Sequence, residues 1–423
     1  MARSDARDAC EAQLWKVVRR NKPTEDDMNR HMAAYGKARE ACEATFGYPP
    51  LLYGSAVSGF ATRSSDLDLV LPLDDVGLGG RASFRTRVLE AIDRLRGPME
   101  RTGFNTEAVS GARVPILRCQ WGLGTHTHMD ISFGKECVVH NSRMLRTYAE
   151  FDHRVAGLGV LVKTWAKSRS LTDTRDGLPS PYAWLLLVIH FMQHEGILPI
   201  LQAPPENICF KPYPKVFVDE PPMDVFFWQP SERRPNSAIF TPASGLRERL
   251  HEEADRSLAL MQTQDLLCQP GAIMSTDEEQ ARRRAFGLQD EDAVMMGDIG
   301  DGLLALLYKF MHYYSCEYQY CRRNSGISVK RPSRQRREPY HPAGDSVVPT
   351  AAEHRDGLGN WGEKADWDRG CGMWIEDPFE NGRNLGPISY TCQRQVMLEL
   401  DDTLATMATI QTPADVEQLF RPA

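Results

Sequence analysis

The feature that most constrains this chain is a pair of aspartates that alternates with leucines. Asp66 and Asp68 open the run Asp66-Leu67-Asp68-Leu69. This period of two predicts a β-strand over 67–71 and places both carboxylates on one face of it. Two crowded carboxylates repel each other unless a proton or a divalent cation neutralises them, and oxygen-rich sites suit Mg²⁺ or Mn²⁺. Paired aspartates are also common in surface turns, so the pair needs support from elsewhere.

Two further segments supply that support. Gly54-Ser55 follows the short apolar run 51–53 and precedes the aspartates by a short linker. Glycine there lets the backbone approach a phosphate, and Ser55 with a following helix N-terminus supplies hydrogen-bond donors to it. Downstream, the alternating run 128–133 carries a third carboxylate, Asp130. Together these segments predict a two-ion site for nucleotidyl transfer.

Hydrophobic periodicity divides the chain into a sheet region, two helical regions and an insert. The run 8–45 is predicted to be helical up to Pro49-Pro50, and long helical patterns recur in 141–202 and 301–320. Residues 204–245 are rich in proline and aromatic residues, and 246–290 has the pattern of a charged helix. The predicted elements of the sheet region are strands at 51–53, 67–71, 105–109, 113–119 and 128–133, with a helix over 83–95.

We therefore predict an α+β fold with a catalytic domain of α/β type. The predicted parts are a catalytic domain at 46–140, a helical nucleotide-recognition domain at 141–208 and 298–390, an inserted bridging domain at 209–297, and terminal helices at 1–45 and 391–423 that pack on the two main domains.

Composition narrows the class of protein. The 423 residues are 42% hydrophobic and 25% charged, which excludes a disordered or fibrous chain. The net charge of −7 excludes a broadly basic nucleic-acid coat, so a nucleic-acid partner requires a local basic patch. Ten cysteines without a C-x-x-C pair indicate reduced thiols rather than a zinc site. The apolar runs are too short for a membrane span, so we expect no membrane partner.

The motifs resemble those of a known family. Gly54-Ser55, Asp66-x-Asp68 and the distal Asp130 are similar to the motifs of polymerase-beta-type nucleotidyltransferases. Further blocks resemble the noncanonical poly(A) polymerase and terminal uridylyltransferase family. This resemblance implies a polymerase-beta-like nucleotidyltransferase sheet domain and a mainly helical, poly(A)-polymerase-like central domain. The further blocks are Leu161–Lys167, Gly177–Ala183, Trp374–Glu380 and Arg383–Gly386.

The resemblance also implies a role for each site residue. Asp66, Asp68 and Asp130 would be the catalytic residues and the ligands of two Mg²⁺ or Mn²⁺ ions. Lysines would hold the triphosphate, serines would donate to phosphates, an asparagine would contact the ribose 2′-hydroxyl, and a tyrosine would stack on the base. The implied nucleotide-binding residues are Gly54, Ser55, Asn141, Ser142, Lys163, Lys167, Ser180, Tyr182, Asp377, Glu380 and Arg383.

Each of these residues also has an ordinary explanation. Lys163 and Lys167 are four apart and share a helix face, which is often simply solvated. Tyr182 opens an apolar helix, where an aromatic side chain usually belongs to the core. Two positions depart from the family pattern: Pro181 stands where serine usually precedes the tyrosine, and Arg383 stands where several relatives have histidine.

Base selection has to come from the edge of the base, because every base offers a π-face for stacking. Uracil presents an N3–H donor where cytosine presents an acceptor, so carboxylates accept from uracil and repel cytosine. In the resemblance, Asp377 and Glu380 face uracil through water, which predicts UTP rather than ATP as substrate. The alternative is that these acidic residues cap a turn around Pro378.

The RNA contacts are predicted from basic residues. By resemblance, Arg113 lies near the nucleotide and the RNA end, although an arginine that opens a strand also fits a solvated edge. Lys330 and Arg331 begin the densest basic run of the chain, which extends to Arg337. Such a run binds a phosphate backbone or forms an exposed loop.

The predicted function is transfer of UMP from UTP to the 3′-hydroxyl of RNA, with release of pyrophosphate. The alternatives are a poly(A)-adding polymerase on the same scaffold and an inactive RNA-binding scaffold subunit. The partners implied are UTP, a single-stranded or partly paired RNA 3′ end, and a multiprotein RNA-processing or editing complex. The insert is similar to that of trypanosomatid mitochondrial uridylyltransferases, which implies the mitochondrial matrix, with the cytoplasm as the alternative.

Overall fold

The computed structural model describes most of the chain, and its residues form two compact units. The sheet unit comprises Lys22–Thr147 and Pro214–Leu267, and the helical unit comprises Met1–Asn21, Tyr148–Tyr213 and Cys268–Ala423. The described residues are 2–73, 83–111, 114–122, 127–134, 136–209, 211–218, 223–236, 246–268, 302–318, 327–330, 373, 375–380, 385 and 390–421.

The elements alternate between helix and strand in the first half of the chain. The helices are α1 (Ala2–Asn21), α2 (Glu25–Phe46), α3 (Ser55–Ser58), α4 (Phe84–Arg101), α5 (Cys137–Phe151), α6 (His153–Ser168), α7 (Pro181–His194), α8 (Leu246–Gln262), α9 (Leu303–His312), α10 (Tyr390–Ala408) and α11 (Pro413–Gln418). The strands are β1 (Leu51–Tyr53), β2 (Leu67–Leu71), β3 (Asn105–Val109), β4 (Ile116–Trp121), β5 (Thr127–Phe133), β6 (Phe217–Val218), β7 (Met223–Asp224), β8 (Trp228–Gln229) and β9 (Arg234–Pro235).

The main sheet has the strand order β1-β2-β5-β4-β3. β2 and β5 run parallel, and the other neighbouring pairs are antiparallel. The odd-numbered residues of β2 and β5, from Leu67 and Met129 onward, are fully buried and pack with α2 and α4. Because side chains alternate along a strand, Asp68 and Asp130 lie on the opposite face. The predicted strands at 51–53, 67–71 and 105–109 are confirmed residue for residue.

The opposite face of the sheet is covered in part by α5 and α8. Val70 of β2 packs with Leu51, Val139, Leu250 and Ala254, all of them buried. The apolar face of α8 thus belongs to the core of the sheet unit. A buried ion pair between Arg143 and Glu253 also joins α5 to α8.

The compact units therefore differ from the predicted domain boundaries. Residues 209–297 were expected to form an inserted bridging domain, but Pro214–Leu267 groups with the sheet. The physical reason is the burial of Leu250 and Ala254 against β1 and β2, which a reading of local composition does not detect. The N-terminal part is also divided, because Met1–Asn21 groups with the helical unit and Lys22 onward with the sheet.

The N-terminal region contains two helices rather than the single helix expected over 8–45. The chain leaves helical geometry at Lys22-Pro23-Thr24, where proline cannot donate a backbone hydrogen bond. Thr24 then caps α2: its Oγ1 accepts from the Asp27 N–H at 3.1 Å, and its own N–H donates to Asp27 Oδ2 at 2.8 Å. This reciprocal pair is a capping box, and it restarts the helix.

The helical unit is held by apolar helices and by a few buried polar contacts. Trp165 of α6 and Trp184 of α7 meet edge to face, with ring centroids 5.5 Å apart. The Trp165 Nε1–H donates to Thr403 Oγ1 of α10 at 2.8 Å. Glu11 of α1 accepts from the first two N–H groups of α9, at 2.7 and 2.8 Å. Across the described ranges, no helix combines the length and apolar character needed to cross a membrane.

Candidate active site

The sheet register brings two of the predicted carboxylates together. Asp68 of β2 and Asp130 of β5 are directly paired residues on adjacent parallel strands, so their side chains leave the same face at neighbouring positions. Both are half-buried, whereas Asp66 lies just before β2 and is exposed. Tyr53 pairs with Asp68 on the other side of β2. The predicted catalytic aspartates therefore lie at one end of the β2–β5 pair.

An arginine that the sequence did not single out contacts this pair. Arg118 is the β4 partner of Asp130, and its Nε–H donates to Asp130 Oδ1 at 3.2 Å. Partial burial raises the pKa of Asp130 above its ordinary value; Arg118 opposes this rise, and the negative charge of Asp66 adds to it. Burial, with the charges of Asp68 and Asp130, also raises the pKa of Tyr53. The site thus concentrates negative charge that a cation would relieve.

The donor chemistry of this site suits a divalent cation. Asp68 and Asp130 offer hard carboxylate oxygens from paired positions, which is what Mg²⁺ and Mn²⁺ prefer. The pKa of Asp130 is raised mainly by burial, and the negative charge of Asp66 adds to the rise. In the part of the chain that the structure describes, no three His, Cys, Asp or Glu side chains converge as a metal cluster. The fit therefore rests on the type and pairing of the donors.

Gly54 forms the turn beside Asp68. Its φ of +71° and ψ of −150° lie in a region that only glycine occupies readily. A Cβ at this position would lie 3.0 Å from Cγ of Asp68 and would overlap its Oδ2. The Asp68 carboxylate therefore occupies the space that glycine leaves. The following residue, Ser55, begins the single-turn helix α3 and is half-buried.

Ser142 supports the same turn from α5. Its Oγ accepts from the Gly54 N–H at 2.7 Å and donates to the Val138 carbonyl at 2.9 Å. The resemblance implies that this hydroxyl donates to a phosphate, whereas here it donates within its own helix. Ser142 is buried and ties α5 to the glycine turn.

Asn141 precedes Ser142 in α5 and is half-buried. Its Oδ1 atom is buried and has no hydrogen-bond partner among the described residues. A buried acceptor without a donor is costly, and a ribose hydroxyl is a donor of the kind required. This geometry suits the predicted contact to the 2′-hydroxyl.

The helical unit carries the other predicted nucleotide-binding residues. Lys163 is half-buried and Lys167 is exposed, on one face of α6. Ser180 caps α7, since its Oγ accepts from the Ala183 N–H at 3.1 Å, and its hydroxyl hydrogen can still donate. Pro181 then occupies the first turn, where proline is favoured. Tyr182 is half-buried beside it, while the rest of α7 from Ala183 to Gln193 is buried.

The acidic residues near Pro378 lie in a short turn. Asp377 Oδ1 accepts from the N–H groups of Phe379 and Glu380, at 2.9 and 3.0 Å. This is the turn-capping geometry that the sequence offered as the alternative to base recognition. Asp377 is buried and Glu380 is half-buried. The capping bonds hold the backbone of the turn up to Glu380.

The predicted RNA contacts are only partly visible. Lys330 is described and lies mostly buried, with its Nζ 3.7 Å from Glu376 Oε1. Arg113, Arg331 and Arg383 lie outside the described residues.

Sequence reasoning did not single out Arg118 or Glu376. Arg118 alternates with the buried Leu117 and Cys119, which signals an outward-facing strand residue. Its approach to Asp130 depends on the register of β4 with β5, which the sequence does not reveal. Glu376 precedes Asp377 within the quoted motif, but its burial could not be foreseen from its type.

Comparisons with known proteins agree with this architecture. Residues 10–150 match the family model described as "Poly(A) RNA polymerase, mitochondrial-like, central palm domain". Over 98% of both chains, the structure is similar to that of the Cid1 poly(U) polymerase, with a TM-score of 0.62 and 20% sequence identity. It is also similar to a cytoplasmic RNA terminal U-transferase, with a TM-score of 0.60, 19% identity, and coverage of 98% and 97% of the two chains. These likenesses confirm the predicted fold class.

Three curated relatives share part of their length with this chain. Terminal uridylyltransferase cid1 of Schizosaccharomyces pombe is 30% identical over 34% of this chain and 34% of its own. Terminal uridylyltransferase 4 of Homo sapiens is 33% identical over 43% of this chain and 11% of its own. Poly(A) RNA polymerase GLD2 of Danio rerio is 29% identical over 41% of this chain and 33% of its own. The chain thus spans about a third or less of the length of these relatives, and over that part it is similar to terminal uridylyltransferases and to a poly(A) RNA polymerase.

Proposed function

We propose that this protein transfers UMP from UTP to the 3′-hydroxyl of RNA and releases pyrophosphate, without a template. The observation that carries the proposal is the pairing of Asp68 with Asp130 on adjacent parallel strands, beside a Gly54 turn that leaves room for the Asp68 carboxylate. Paired carboxylates next to a backbone turn that can approach phosphate are what metal-assisted nucleotidyl transfer requires.

Asp66, Asp68 and Asp130 are the residues that would hold two Mg²⁺ or Mn²⁺ ions. When bound, such ions lower the pKa of the attacking hydroxyl and stabilise the charge of the leaving pyrophosphate. Asp130 would also accept the proton of the 3′-hydroxyl at its carboxylate, and its raised pKa suits a general base. Arg118 holds one oxygen of Asp130 and keeps that side chain oriented.

The other predicted nucleotide-binding residues would bind and orient the nucleotide. Asn141 would accept from the ribose 2′-hydroxyl, which its buried Oδ1 supports. Lys163 and Lys167 would attract the triphosphate as point charges, and Ser180 would donate to a phosphate oxygen at the positive end of α7. Tyr182 would stack on the base.

UTP is proposed as the substrate because, by the resemblance, Asp377 and Glu380 would face the edge of the base through water. These groups accept from the N3–H of uracil and repel the acceptor of cytosine. Structures of the Cid1 protein in complex with the UTP analogue UMPNPP and with its short product ApU agree with this substrate class.

The proposal is tested by incubating the purified protein and Mg²⁺ with a short RNA and each nucleoside triphosphate separately. We expect extension with UTP in the wild type and a loss of about 100-fold or more in Asp68→Asn and Asp130→Asn. Glu107→Gln is the matched control, because Glu107 is an exposed carboxylate of the same sheet that also lies near Arg118. Activity near that of the wild type in Asp68→Asn, with unchanged folding, would contradict the proposal.

Adenylate addition is the second candidate, since a poly(A) RNA polymerase is among the relatives. Competition between ATP and UTP separates the two, because equal incorporation would remove the role proposed for Asp377 and Glu380. A third possibility is an RNA-binding scaffold without catalytic activity. Such a protein would bind the RNA but would not extend it with any of the four nucleotides.

A location in the mitochondrial matrix and membership of an editing complex stay proposals that rest on the resemblance of the insert. Fractionation of cells that express an epitope-tagged protein tests the location, and purification of the tagged protein tests the complex.

A further inference from the structure

Two short segments of the helical unit, 327–330 and 375–380, form one buried arrangement, here called the paired segments. Ile327 and Ile375 form a parallel β-bridge, and the Glu376 N–H donates to the Ile327 carbonyl at 2.9 Å. Ile327, Val329 and Ile375 are fully buried. The second of these segments carries Asp377 and Glu380, which are proposed to read the base.

Within the paired segments, Glu376 is a buried carboxylate with a partner on each oxygen. Ser328 Oγ donates to Glu376 Oε2 at 2.5 Å, and Lys330 Nζ lies 3.7 Å from Oε1. The Lys330 N–H donates to Ser328 Oγ at 3.2 Å, which joins the three residues in one network. The side chains of Lys330 and Glu376 are 17% and 5% exposed. A carboxylate this buried needs a compensating charge and hydrogen bonds.

This network adjoins the turn that orients Glu380. Asp377 follows Glu376 directly, and its Oδ1 accepts from the Phe379 and Glu380 N–H groups. If the Glu376 carboxylate lost its counter-charge, it would turn toward water, and the backbone of Asp377 would move with it. The Glu376 network therefore fixes the starting point of the turn.

The paired segments are also tied to α7. Gln193 Nε2 donates to the Val329 carbonyl at 3.1 Å, and Gln202 Nε2 donates to the Pro378 carbonyl at 2.7 Å. Gln193 lies in α7, the helix that begins beside Tyr182. α7 therefore carries the tyrosine proposed to stack on the base in its first turn and contacts the paired segments at its last turn.

We propose that Lys330 and Ser328 are positioning residues for base selection, and that they act through Glu376. The inference rests on the proposed function, since it requires that Asp377 and Glu380 read the base. It assigns Lys330 a role different from the RNA phosphate contact that its basic neighbourhood predicted. The ammonium group compensates a buried carboxylate, and only a small part of the side chain reaches solvent.

The test compares Lys330→Met, Lys330→Arg, Glu376→Gln and the double variant Lys330→Met/Glu376→Gln. For each protein, kcat and KM are measured with UTP, CTP and ATP, and KM is measured for the RNA at two salt concentrations. Lys309→Met is the matched control, because Lys309 forms an ion pair with Glu195 elsewhere in the helical unit.

We expect Lys330→Met to raise KM for UTP about tenfold and to narrow the preference for UTP over CTP. KM for RNA and its salt dependence should not change. Lys330→Arg should keep the wild-type preference, since it retains the charge. The double variant should recover most of the preference, because a neutral glutamine still accepts from Ser328 and needs no counter-charge. Lys309→Met should resemble the wild type.

The inference is overturned if Lys330→Met weakens RNA binding, flattens its salt dependence and leaves the base preference intact. That result would identify a phosphate contact instead. If Lys330→Met does not fold, the test compares Glu376→Gln with the double variant Lys330→Met/Glu376→Gln. A lower UTP preference in the double variant than in Glu376→Gln would overturn the inference. A wild-type protein that adds AMP rather than UMP contradicts the proposed function alone. In that case the inference is tested with the preference for ATP over GTP, which Lys330→Met should reduce.

Discussion

Residue 54 shows how far a single position controls the candidate site. Gly54 combines a positive φ with an N–H bonded to Ser142 and with space for the Asp68 carboxylate. No side chain satisfies all three conditions, because a Cβ would overlap Asp68 Oδ2. The catalytic carboxylate and the turn beside it are therefore not independent features.

Gly54→Ala is expected to reduce nucleotidyl transfer by about 100-fold or more. The new Cβ would displace the Asp68 carboxylate from its position next to Asp130. The measurement is kcat with UTP and RNA, corrected for the folded fraction. Gly47→Ala is the control, because Gly47 also has a positive φ of +81°, but its Cβ would meet only the guanidinium end of Arg247, at 3.1 Å. Equal losses in both variants would show that backbone strain alone is responsible.

At the same scale, some of the candidate site could be predicted from sequence and some could not. The alternation around Asp68 and Asp130 identifies their strand and their face, because the side-chain period of a strand is fixed. The contact of Arg118 with Asp130 requires the pairing of β4 with β5, which is set by packing. Lys330 was predicted as part of an exposed basic run, and its approach to Glu376 depends on a bridge between distant segments.

At the scale of elements, α7 and the residues after α9 form a buried aromatic cluster around His190. Tyr314 donates its hydroxyl to the Leu187 carbonyl at 2.9 Å, so the Nδ1–H of His190 donates to Tyr314 at 3.0 Å. The ring of Tyr313 lies 6.1 Å from that of His190. Burial lowers the pKa of His190 to about 3, and nearby His194 adds to this effect.

This cluster predicts a pH dependence of stability. Unfolded histidine takes up a proton below about pH 6.5, whereas folded His190 stays neutral down to far lower pH. The unfolding free energy should therefore fall as the pH drops below about 6.5, by up to about 1.4 kcal/mol per pH unit. In urea unfolding, the wild type should lose about 1.4 kcal/mol more unfolding free energy than His190→Gln between pH 7.5 and 5.5. Equal losses of unfolding free energy in the wild type and in His190→Gln would contradict the prediction.

The elements also show why local patterns succeed or fail. The strands at 51–53 and 67–71 are confirmed because alternation is a local signal. The helix expected over 8–45 is wrong at Lys22-Pro23-Thr24, although the proline and the Thr24–Asp27 capping box were available as signals. The long apolar α7 is confirmed within one residue of its expected start.

At the scale of the whole molecule, the sheet unit is built from two separate stretches of sequence. Lys22–Thr147 supplies the sheet, and Pro214–Leu267 supplies α8, whose Leu250 and Ala254 complete a core around Val70. Composition marked the second stretch as an insert, because proline and aromatic content reports local character only. Its assignment to the sheet unit depends on long-range packing.

Leu250→Ala should therefore destabilise the sheet unit, by roughly 2–5 kcal/mol, because it opens a cavity beside β1 and β2. Hydrogen exchange of the β1 and β2 amides is the measurement, and these amides should exchange faster than in the wild type. Leu398→Ala is the control, since Leu398 of α10 is 58% exposed and should change stability by less than about 0.5 kcal/mol. Unchanged exchange in Leu250→Ala would mean that α8 is not part of this core.

The division of the chain between the units has a consequence for its synthesis. The sheet unit is complete once residue 267 has been made, whereas the helical unit draws on both early and late residues. Arg20 of α1 donates to Glu417 of α11 at 2.7 Å, so α1 meets this partner only after nearly four hundred further residues have been made. Its other contacts form in stages, because Glu11 of the same helix meets α9 once residues 303 and 304 have been made. The helical unit is therefore complete only when the last part of its sequence is present.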